Sequence, residues 1–115
     1  FIRGDLTAPM DDKPFGGEDV GSYLILVKDH KVFIAAKFDG TVNEGMVLEG
    51  WLVDTDTGYK LSTGQLVDNR QIFKQIIVNP YIYDLYVVTE EPMNDVDPNA
   101  NVPVGGVMLS NPFGQ

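Results

Sequence analysis

The sequence predicts an all-β fold: one domain of seven to eight short, mostly antiparallel strands packed as a β-sandwich. Three observations lead there. Nearly every apolar run is short, rich in β-branched and aromatic residues, and bounded by Gly, Pro, Asn or Asp. Several runs alternate with period two, the mark of a strand with one buried face. And 115 residues, 43% of them apolar and 22% charged, suffice for one globular domain with its own core.

The elements follow in order. FIRGDLTAPM places Ile2, Gly4, Leu6, Ala8 and Met10 on one face, so residues 1–10 read as an N-terminal strand. TAPMDDKPFGGEDVG holds two Pro and three Gly and reads as a loop, assigned to 11–22, ahead of a sandwich body over 23–115. SYLILVK and KVFIAAKF flank Asp29-His30, the tip of a tight hairpin, with Val32, Ile34, Ala36 and Phe38 on one face. DGTVNEG is turn chemistry. MVLEGWLVD is a strand with Val47, Glu49, Trp51 and Val53 on one side; DTDTG turns it into GYKLSTGQL. RQIFKQIIV follows, and its β-branched content favours strand over helix. After Asn79-Pro80, YIYDLYVVT is expected to extend as one strand carrying Tyr81, Tyr83, Leu85, Val87 and Thr89 on one face. EEPMNDVDPNANVP is expected to be a polar loop and VGGVMLS a last short strand. Strands at this spacing point to an Ig-like sandwich, without setting the strand order.

Charge narrows the partners. Seventeen acidic and eight basic residues give a net charge of −9, which disfavours nucleic acid and anionic lipid and suits divalent cations or basic partners. There is no Cys, so disulfides, thiolate catalysis and zinc–thiolate sites are excluded. No 18-residue apolar run exists, so no membrane insertion of this chain is expected. The chain opens at Phe1, which fits removal of a signal peptide and hence an extracellular or cell-surface location.

EGMVLEGWLVDTDTGYKLSTGQL holds an aromatic-anchored strand ending W-L-V-D, a hairpin with a T-G tip and a strand carrying Leu-Ser and a Gly; YDLYVVTEEPMNDVDPNANVPVGGVML holds a strand ending V-V-T-E-E-P, an acidic Pro/Gly loop and a small terminal strand. With GSYLILVKDHKVFIAA, they resemble the C-terminal extracytoplasmic domain of the anti-sigma-K factor family over roughly residues 21–109. The resemblance implies a β-sandwich outside the cytoplasmic membrane, with Trp51 as a core anchor. It implies no catalytic residue. The sigma-binding region and membrane helix of that family have no counterpart in this sequence, so anti-sigma activity does not carry over.

Little here suits catalysis. The one His, His30, sits between charged residues at a predicted hairpin tip, where a solvated turn residue is expected. The carboxylate pairs Asp11/Asp12, Asp54/Asp56 and Glu90/Glu91 fall in predicted loops, where water would keep both members ionised. The chain is therefore read as no enzyme. No cofactor is assigned except calcium, as a tentative metal: Asp95, Asp97 and Asn99 have the opening spacing of a calcium loop, with Glu90 and Glu91 as helpers. The loop has neither the Gly at its sixth position nor the Glu at its twelfth that an EF-hand needs.

Two functions fit. In the first, the opening strand is donated to a neighbouring copy, with Ile2, Leu6, Ala8 and Met10 as anchors and Gly4 allowing close backbone approach. That would make a head-to-tail homopolymer, an extracellular filament or surface layer built by donor-strand complementation. In the second, the strand pairs at home and the chain is a monomeric or tethered extracytoplasmic binding or sensor module, stabilised by calcium if the acidic loop binds it.

Overall fold

The computed structural model describes residues 1–93 and 102–109. Eight strands run in chain order: β1 (Ile2–Thr7), β2 (Asp19–Lys28), β3 (Lys31–Phe38), β4 (Met46–Val53), β5 (Lys60–Gln65), β6 (Arg70–Ile76), β7 (Leu85–Pro92) and β8 (Val102–Met108), with one 3-10 turn at Pro80–Ile82. All pair antiparallel in a single sheet of order β5-β4-β7-β8-β1-β2-β3-β6. The fold is all-β, as the sequence predicts.

The sheet bends into two halves, β5-β4-β7-β8 and β1-β2-β3-β6, whose inner faces share one core. Leu6, Ile25, Val32, Ile34 and Phe73 from one half meet Leu48, Leu52, Tyr86 and Val88 from the other. Period-two alternation is what delivers these residues inward: β3 buries Val32, Ile34, Ala36 and Phe38 and turns Lys31, Phe33, Ala35 and Lys37 outward. Asp29 and His30 both have positive φ, as a two-residue hairpin turn requires; Asp68 and Asn69 repeat the device between β5 and β6.

The two ends of the sheet, β5 and β6, are joined by a side chain. Buried Gln71 accepts from Thr63 Oγ1 (2.7 Å) and the Tyr86 hydroxyl (2.5 Å), and its Nε2 donates to the carbonyls of Thr63 (3.0 Å) and Gly64 (2.9 Å). Gly50 lies directly beneath this clasp. A Cβ there would stand 2.2 Å from Gln71 Oε1 and 2.5 Å from Thr63 Oγ1, so only glycine leaves room.

Three expectations are corrected. YIYDLYVVT is not one strand: Pro80 opens a 3-10 turn, Tyr81 and Tyr83 fall in and after it, and β7 begins at Leu85. The β7 strand runs on through Glu90, Glu91 and Pro92, so the T-E-E-P segment is strand, and both glutamates are buried. Asp54 is likewise buried, accepting from the Asp56 N–H and the Thr57 hydroxyl in an Asx-type turn. Water therefore does not surround these carboxylates, as a loop position would suggest.

Candidate docking surface

The opening strand sits in its own sheet. β1 pairs with β2 along its whole length, from Ile2↔Ile25 to Thr7↔Asp19, and touches β8 through the single pair Thr7↔Gly106. Leu6 is fully buried in the core and Ile2 packs against it. Gly4 lies under the ring of its cross-strand neighbour Tyr23, which accounts for a glycine in mid-strand. Ala8 and Met10 lie beyond the strand. The Ala8 N–H bonds the Glu18 carbonyl, and Met10 is exposed on the loop.

That loop, residues 8–18, folds over the outer face of β4 and β7. There Phe15 closes a second apolar cluster with Trp51, Val53 and Val87. Trp51 is thus a core anchor of this outer layer rather than of the central core. Its Nε1 donates to Thr89 Oγ1 (2.8 Å), and the Thr89 hydroxyl in turn donates to the Glu91 carboxylate. Beside the cluster is a cleft of about 420 Å³, lined among others by Met10, Phe15, Leu85, Val87 and Pro103.

The candidate calcium ligands are divided. Glu90 turns to the inner side, where Asn43 donates to both its oxygens through N–H (3.1 Å) and Nδ2 (2.8 Å). Glu91, one residue on, points to the Trp51 side. Asp95, Asp97 and Asn99 lie outside the described residues. Among the described residues, no group of three His or acidic side chains is placed to hold a metal ion. His30 is exposed at its hairpin tip, with Nδ1 2.9 Å from the Val78 carbonyl.

The feature that sequence reading missed is charge segregation. The registers β1–β2, β2–β3 and β3–β6 set the outward residues in rows: Arg3, Leu24, Ala35, Ile72; then Asp5, Ser22, Lys37, Arg70; then Leu26, Phe33, Lys74 and Lys28, Lys31, Ile76 towards the hairpin. Six of the chain's eight basic residues therefore occupy one outer face, all exposed. Lys37 is held by Asp39 at 3.3 Å; among the described residues no carboxylate pairs the other five. Between them run Leu26, Ile72 and Ile76, 42%, 73% and 74% exposed. Ile72, Lys74 and Ile76 also belong to a sheet edge. Bonds from Phe38 to Asn69 and from Ile77 to His30 put the odd-numbered groups of β6 on the β3 side, so the even-numbered ones point away from it.

No family model matches the chain, and neither a curated protein nor a solved structure matches it. No helix among the described residues is long and apolar enough to cross a membrane.

Proposed function

We propose that this chain is a non-enzymatic extracytoplasmic docking module that binds an acidic protein surface through the outer face of β1, β2, β3 and β6. The observation that carries this reading is the gathering of six cations among the exposed aliphatic side chains Leu26, Ile72 and Ile76 in a chain of net charge −9. A solubilising surface intersperses both signs in like number; here six cations and one outward strand carboxylate, Asp5, stand among bare aliphatic side chains, a bias that suits a recognition face. The extracytoplasmic setting rests on the resemblance of residues 21–109.

The test is retention on immobilised polyglutamate. The native chain is expected to bind at about 20 mM salt and to elute as screening rises towards about 0.5 M. Arg70→Glu with Lys74→Glu should flow through. A native chain that ignores the matrix, as its net charge alone would dictate, overturns the reading.

A second reading, donor-strand exchange, draws on one feature: β1 has a full ladder on one side and a single pair on the other. Such a strand can leave as a unit and pair with the same register in a neighbour. Deleting residues 1–10 tests it. An exchanging chain would lose its oligomers; a chain that pairs at home would lose stability and keep its mass.

A further inference from the structure

We infer that the cleft beside Trp51, on the outer face of β4 and β7, binds a small amphipathic carboxylate: an alkyl or aryl body with one anionic head. The inference stands apart from the docking reading and uses none of its residues.

The cleft has a volume of about 420 Å³, within the range of small-ligand sites. Its walls are apolar. Val53, Leu85 and Val87 come from the sheet, and Met10 and Phe15 from the loop over it. That loop is tied at its neck. The Gly17 N–H donates to the Ala8 carbonyl (2.9 Å), and the Ala8 N–H to the Glu18 carbonyl (2.8 Å). A Cβ at Gly17 would stand 2.8 Å from the Ala8 carbonyl oxygen, so glycine is what permits the tie. The loop wall is therefore held against the strands before any ligand arrives, as in most small-molecule sites.

Three of the lining side chains are polar: Lys13, Lys60 and Thr89. The Thr89 hydroxyl is already engaged, accepting from Trp51 Nε1 and donating to Glu91. The two lysines are not: among the described residues no carboxylate pairs with either. Asp11 and Asp12 precede Lys13 on the same loop, and Glu91 follows Thr89 in the outward row of β7, yet none of the three lines the cleft. The chain has seventeen acidic residues and eight basic ones. Six of the basic ones stand on the other outer face, and the remaining two share this cleft. An apolar trough whose free polar groups are both ammonium groups complements an apolar body that carries an anion. The lysine stems extend the apolar wall, and their heads meet the carboxylate at the solvent edge. A neutral ligand would use the walls alone, and a cation would meet like charge.

Titration of the native chain with octanoate, 1-octanol and octylammonium at about 0.1 M salt tests this. Trp51 packs in the same cluster as Phe15, Val53 and Val87, so its emission reads occupancy without a label. Octanoate should bind saturably, with a Kd on the order of 1 mM or tighter. It should bind roughly fivefold tighter than octanol, as two exposed ion pairs allow, and octylammonium should bind more weakly than either. In the Lys13→Met/Lys60→Met variant octanoate should fall to the level of octanol, with octanol unchanged. Both positions are exposed, so circular dichroism should report a native fold. Amide shifts on the labelled native chain should gather at Phe15, Leu85 and Val87. Octylammonium binding as tightly as octanoate, which is what the net charge of −9 alone would dictate, overturns the inference. So does an octanoate preference that survives the double substitution, or amide shifts that gather on β3 and β6 instead. A native chain with no saturable response to octanoate up to about 10 mM overturns it as well.

Discussion

Replacing Gln71 by Leu should cost about 2–4 kcal/mol, because the Thr63 and Tyr86 hydroxyls of the clasp both donate to the Gln71 Oε1. In the native chain Gln71 takes part in four hydrogen bonds. Leucine keeps the approximate volume and removes all four. Orphaning the buried Thr63 and Tyr86 hydroxyls costs about 1–3 kcal/mol each, and burying leucine in place of the amide returns about 1–2 kcal/mol. For a 115-residue chain of ordinary stability, roughly 6–17 kcal/mol, that is a large fraction. It corresponds to a drop in Tm of about 8–16 °C. Urea unfolding, read from the single Trp51, gives the equilibrium value, and an unchanged m value would show that only stability moved. A second arm isolates the cause. Adding Thr63→Val and Tyr86→Phe to Gln71→Leu removes the orphaned hydroxyls and should recover at least about 1 kcal/mol. A Gln71→Leu chain within about 0.5 kcal/mol of native, or a triple variant no better than the single one, would refute the clasp.

Gly50→Ala should destabilise by about 1–3 kcal/mol through the same clasp, since its methyl group meets Gln71 and Thr63; denaturant titration reads it. Burial pushes the Tyr86 phenol well above its usual 10.0, so its contribution to stability is complete below that pH and is lost as pH rises beyond it. Tyr86→Phe should accordingly lose less stability than the native chain in melts taken above pH 10. For Asp84, partial burial pushes the carboxyl up, but hydrogen bonds from the Thr55 hydroxyl and N–H outweigh this and hold it below its usual 3.8. Its contribution is present above that value and disappears as pH falls through the lowered one, so Asp84→Asn should flatten the acid limb of the stability curve. If the acidic segment binds calcium, the ion should raise Tm in the native chain and leave the Asp95→Ala/Asp97→Ala variant unmoved; no rise in the native chain would remove calcium from the account.

What was legible in the sequence is what local chemistry determines. Asp29-His30 between two alternating runs specifies a hairpin, and the β3 alternation names its buried residues in order. What was not legible depends on partners far along the chain. Trp51 looks like a central anchor, yet the loop carrying Phe15, some thirty-five residues earlier, makes the layer it belongs to. Glu90 looks like a solvated loop acid until Asn43, 47 residues earlier, is brought to it. The basic face has the same origin. Arg3, Lys28, Lys31, Lys37, Arg70 and Lys74 are spread over most of the sequence, and each is unremarkable where it stands. Only the strand order places them on one side, and alternation within a single strand carries no information about that order.

The most direct test of the docking account is amide chemical-shift mapping by NMR on the labelled chain during titration with polyglutamate at low salt. The account predicts shifts concentrated on β2, β3 and β6 around Leu24, Ala35, Lys37 and Ile72, fading as salt is added. Shifts that gather instead on the loop over Trp51, or a spectrum that does not change, would contradict it.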